Sequence, residues 1–119
     1  MATKHNMTLD NQWFSKVADG KKTIEGRALD DKRKNIKIGD TIVFSEKGTN
    51  NKCSTIVTEL LYFDDIKSMA ETLSMGYMAS LSNILPGVET VEEFIEIYSA
   101  YYKPDVKMIA IRFARVYNM

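Results

Sequence analysis

The chain has 119 residues, 45% of them hydrophobic, and its 16 Lys and Arg balance its 16 Asp and Glu. That length predicts one domain over residues 1–119, with a core large enough to need no covalent staple. The single cysteine, Cys53, excludes an internal disulfide; no apolar run reaches the ~20 residues of a membrane helix, and no apolar leader opens the chain, so the reading is cytoplasmic with no membrane partner.

In chain order, residues 1–6 are expected to be loose, and with them His5, the one histidine. Met7–Leu9 is apolar enough for a short strand. "DNQWFSKVADG" predicts a helix with Trp13, Phe14, Val17 and Ala18 on one face, Asp10 or Asn11 as its cap and Gly20 as its stop. "KTIEGRAL" alternates as a strand, "DDKRKN" is a polar turn, and "IKIGDTIVF" places a Gly-Asp turn before a strand over Thr41–Phe44. After the loop "SEKGTNN", "KCSTIVTELLYF" is rich in β-branched residues and reads as a long strand. "DDIKSMAETLS" carries Ile66, Met69, Ala70 and Leu73 at helical spacing behind Asp64 or Asp65 as cap. "MGYMASLSNILPG" reads as loop with a turn of helix. Thr90 and Glu93 form a T-x-x-E capping box at the head of "TVEEFIEIYSAYY", which Pro104 ends. "VKMIAIRFARVY" closes as a strand with Ile109, Ile111 and Phe113 on one face and Arg112 on the other.

Helices and strands do not alternate regularly, which excludes a doubly wound sheet and predicts an α+β domain around a mixed sheet curled into a small barrel, with flanking helices. The Thr90–Tyr102 helix is expected on the outside of that sheet. The balanced net charge hides a split. Seven basic residues lie between Lys21 and Lys37, and five acids between Glu89 and Asp105. Such a split orients a field across a small domain, or simply reflects two solvated faces.

The strand "GKKTIEGR" is the most informative stretch. Glu25 and Arg27 are two apart and share a strand face. Lys22 has the parity of Ile24 and joins them only if the chain is still turning there or a bulge intervenes. The plain reading is an exposed ion pair worth ~0–1 kcal/mol. Yet Gly20, Lys22, Glu25 and Arg27 fit G-x-K-x-x-E-x-R, and "DDKRKNIKIGDTIVF" fits D-x-x-R-x-x-I-x-x-G-D-x-I-x-F at the right distance. With the preceding helix and the last strand, the segment Met7–Tyr117 resembles the ASCH domain family.

The resemblance implies a PUA-like barrel and a cleft at the motif strand that binds RNA, a nucleotide or a modified nucleoside. It implies Lys22, Glu25 and Arg27 as ligand-binding residues, with Lys21 and Arg33 beside them. Lys22 and Arg27 would meet a phosphate or base edge, and Glu25 would orient Arg27 or accept from an exocyclic amine. Some small bacterial relatives are N4-acetylcytidine amidohydrolases that use the motif lysine, a threonine and a glutamate. Here Glu25 stands in the threonine's place, so that activity is expected to be weak or absent; were the protein a hydrolase, acting on a modified nucleoside or on RNA, Lys22 and Glu25 would be its catalytic pair. No cofactor or metal is expected, since one histidine and no convergent acids make no metal site. Trp13 is expected in the core or the cleft wall. Tyr98 is expected in the core, whereas Tyr101 and Tyr102 are open to either core or base stacking. The run Lys32, Arg33, Lys34 reads as a solvated turn that steers anions, and the acidic helix with Glu92, Glu93 and Glu96 is expected away from the cleft.

Overall fold

The computed structural model describes residues 2–76 and 81–116. The elements in chain order are β1 (Lys4–Leu9), α1 (Asn11–Ala18), β2 (Ile24–Ala28), β3 (Thr41–Glu46), β4 (Lys52–Phe63), α2 (Ile66–Ser74), α3 (Leu81–Ile84), α4 (Val91–Ser99) and β5 (Met108–Arg115). The strands form one mixed sheet in the order β1-β3-β4-β5-β2, with β1 parallel to β3 and every other pair antiparallel. The sheet curls into a half-barrel flanked by helices, as the order of elements predicts.

β5 explains why the curl holds. It is buried along most of its length because its two faces serve two cores. Ile109, Ile111 and Phe113 join Met7, Leu9, Ile42, Phe44 and Val57 on the inner face, which Phe14 and Val17 of α1 plug. Met108 and Ala110 turn to the other face and meet Ile66, Met69 and Leu73 of α2 and Phe94 and Tyr98 of α4. Each large apolar side chain so buried contributes about 1.5–3 kcal/mol, before the entropy of ordering it. The helix beginning at Thr90 therefore packs outside the sheet, as its single apolar stripe predicts.

The turn before β3 gives the motif extension its physical content. Ile36, Ile42 and Phe44 are core residues. Gly39 has φ +92°, a left-handed conformation that a side chain disfavours. It delivers the Asp40 carboxylate to the amides of Thr3 and Lys37 (3.0 Å each) and to Nε2 of His5 (2.9 Å). These bonds correct the expectation of a loose start. β1 begins at Lys4, three residues before Met7, and His5 is a strand residue tied to Asp40.

Two other local expectations change. Asp10 is the N-cap of α1 by backbone geometry, but its side chain makes no cap bond. The reading at 75–87 lies partly outside the described residues, and its helical turn is α3. Asp65 and Thr90 do cap α2 and α4.

Candidate functional site

Among the described residues β2 is an edge strand whose only partner is β5, with Glu25 opposite Ile111 and Arg27 opposite Ile109. Glu25 and Arg27 therefore face the inner side together, at the rim of the sheet. Lys22 precedes the strand, and the chain is still turning there: its amide donates to Lys16 O (2.9 Å), and the Thr23 amide donates to Asn83 O (2.8 Å). This turn lets a residue of the wrong parity reach the same cluster.

Lys22 is 1% exposed, more deeply buried than the plain ion-pair reading allows. Its ammonium donates to Ile24 O (2.7 Å), to Ile84 O and to Glu25 Oε1 (3.0 Å). An ammonium has three N–H groups, so all three are spent inside the protein. Glu25 Oε2 accepts from Arg27 Nε at 2.7 Å. Arg27 Nη2 then crosses to the carbonyl of Thr8 on β1 (2.9 Å). Among the described residues Nη1 has no hydrogen-bond partner, and it is not sealed from solvent.

Burial drives the Lys22 ammonium's pKa down, and the Glu25 carboxylate opposes it. Burial pushes the Glu25 carboxyl up, but Lys22 and Arg27 together outweigh it and hold it below the usual range. Burial likewise works against the Arg27 guanidinium, and the Glu25 charge more than offsets it. The cluster carries a net single positive charge when all three are ionised, and Arg27 is its outlet.

The cleft over this cluster has a volume of about 160 Å³. Thr8, Leu9, Asp10 and Trp13 form one wall; Ile97, Tyr98, Tyr101 and Tyr102 form the other, with Leu85 beside them. Gly26 brings the second wall close: a Cβ there would stand 2.7 Å from the Tyr98 hydroxyl. Burial together with the Glu25 charge raises the pKa of that hydroxyl well above an ordinary phenol. The oxygen therefore keeps its proton. Tyr98 and Tyr102 stack with centroids 6.4 Å apart.

Of the sequence-predicted site residues, Lys22, Glu25 and Arg27 come together at the cleft. Lys21 is exposed and does not line it. Arg33 does not line it either, and is paired with Asp30 at 2.8 Å. Trp13 is a wall residue, as is Tyr98, which is also buried core. The C-terminal end of α4 borders the cleft, contrary to the expectation for this helix, because its apolar stripe leads there; Glu92, Glu93 and Glu96 are not among the lining residues. Thr8, Leu9 and Asp10 escape sequence reasoning, since only the curl brings β1 to β2.

The ASCH domain model matches residues 7–116, and the chain belongs to this family. No curated protein matches the sequence. Among solved structures, the hypothetical protein PH0355 is similar, with 30% identity, a TM-score of 0.79, and coverage of 96% of this chain and 100% of that one. Protein PF0455 from Pyrococcus furiosus shares 28% identity at a TM-score of 0.69, covering 98% and 100%. The ASCH domain from Lactobacillus crispatus JV V101, at 10% identity and a TM-score of 0.65 over 96% and 81%, is similar in fold.

Proposed function

We propose that the protein binds RNA, or a nucleotide or nucleoside derived from it, by taking one base into the cleft at the motif strand. The observation that carries this reading is Arg27, whose Nη1 is unspent among the described residues at the floor of an aromatic-walled cleft. A volume of about 160 Å³ suits a single ring, since a cavity of ~150 Å³ admits one benzene. Unpaired bases stack on aromatic side chains and present carbonyl oxygens to guanidinium donors. Lys22 holds Glu25, Glu25 holds Arg27, and Arg27 meets the ligand.

Titration of single-stranded RNA and nucleosides, followed by the fluorescence of Trp13, tests this. Trp13 is the only tryptophan and lines the cleft. Arg27→Ala should weaken binding by about 1.5–3 kcal/mol, the worth of a charged hydrogen bond. Arg27→Lys should cost nearly as much, since an ammonium lacks the fork. Retained affinity in both variants would exclude the cleft.

Binding is preferred to hydrolysis because the two groups a hydrolase would use are engaged. Lys22 has no free N–H, and both Glu25 oxygens face cations. Hydrolysis of N4-acetylcytidine is expected to be weak or absent. Steady-state turnover matching that of a threonine-bearing relative would reverse this preference.

A further inference from the structure

β1 and β2 are the two edges of the sheet and do not pair with each other. Thr41 and Lys47 donate their amides to Thr3 O and Leu9 O, so alternate residues of β1 serve β3. The carbonyls of Asn6 and Thr8 are left facing the seam toward β2. Each is met by a cation: Arg27 Nη2 on Thr8 O (2.9 Å) and Lys32 Nζ on Asn6 O (3.3 Å). Two residues along a strand place these carbonyls about 6.6 Å apart.

Lys32 differs from its neighbours in the basic turn. Arg33 is paired with Asp30 at 2.8 Å and Lys34 with Asp31 at 2.9 Å. Lys32 has no carboxylate partner among the described residues. One carbonyl bond occupies one of its three N–H groups, and the rest face solvent on an exposed side chain. A lysine laid along the seam beside the cleft differs from the freely solvated, steering turn that the sequence suggests.

Resting on the cleft as a base site, we infer that the seam is a track for single-stranded nucleic acid, with the ammonium of Lys32 taking the backbone phosphate next to the base held at Arg27. The ligand is then a strand of at least two nucleotides rather than a free nucleoside. The affinity is divided between a base contact that salt barely touches and a phosphate contact that salt weakens.

The test compares Lys32→Ala, Lys34→Ala and Arg27→Ala with the unaltered chain. Probes are the four free nucleosides and a mixed-sequence single-stranded RNA octamer, titrated at several salt concentrations. Lys32→Ala should bind the octamer roughly threefold to tenfold more weakly and lower the salt slope by about 0.7, the value for one single-strand phosphate. Its loss for nucleosides should be clearly smaller. Lys34→Ala, whose charge is already paired, should behave as the unaltered chain. Equal losses for octamer and nucleoside, an unchanged slope, or the same effect from Lys34→Ala would overturn the track while leaving the cleft standing. Octamer binding that Arg27→Ala leaves intact, or no binding of any probe, would overturn the base site and the track with it.

Discussion

At the scale of single residues, the motif divides into groups that face the cleft and groups that hold them. Lys22 is buried with its charge spent on two carbonyls and Glu25. Gly26 has no positive φ and is needed for space alone. Gly26→Ala should push Tyr98 out of the cleft, cost about 1–3 kcal/mol by overpacking, and weaken ligand binding. Tyr98→Phe removes the nearest atom, so the double variant should recover part of that loss; thermal melts of the four proteins give the coupling energy. Asp40 has a pKa of about 2, lowered by the Thr3 amide and His5. An unfolded chain has an ordinary carboxylate near ~3.9, so its stabilising share is full above that value and is lost as pH falls through about 2. Between pH 4 and 2, Asp40→Asn should therefore lose less stability than the unaltered chain, as urea unfolding at each pH would show. Spacing alone makes the Glu25–Arg27 pair legible. It does not reveal that Lys22 is saturated, because one of its acceptors, Ile84 O, lies 62 residues away.

At the scale of elements, side-chain chemistry at helix starts reads well where the helix is solvated. Asp65 accepts from the Ser68 amide at 2.7 Å and Ser68 answers the Asp65 amide at 3.4 Å, a reciprocal box. Thr90 accepts from the Glu93 amide at 3.2 Å, and among the described residues Glu93 makes no return bond. Asp65→Ala should cost about 1–2 kcal/mol and Thr90→Ala about 0.5–1, as chemical denaturation would measure. Asp10 departs from the rule because its carboxylate stands at the cleft rim, 4.0 Å from Lys47, rather than over its own helix. β1 is legible only from Met7 onward, since Lys4, His5 and Asn6 have no apolar pattern. Pairing with β3 and the bonds to Asp40 order them, and neither is visible in a local window. The period-two pattern of β5 shows which residues share a face. That both faces are buried becomes clear only with α2 and α4 in place.

At the scale of the whole molecule, the fold class is legible because element order excludes a doubly wound sheet, while the strand order is not, because it depends on partners far apart in sequence. Among the described residues no helix is long and apolar enough to cross a membrane. One sheet edge, β1, carries cations on its carbonyls at Asn6 and Thr8, which disfavours pairing with a foreign strand there. The place of β2 in the strand order also bears on how the molecule is made. Residues 22–27 leave the ribosome well before β5, which among the described residues is the sole sheet partner of β2. Until Arg115 is clear of the exit tunnel, Ile24 lacks the neighbours Met108 and Ala110 that bury it, and Glu25 has no ladder to hold it against Lys22. Nascent chains fold by closing long loops last, since their entropy must be met before distant contacts return it. The motif cleft is therefore a product of the finished sheet, and a nascent chain presents no partial version of it.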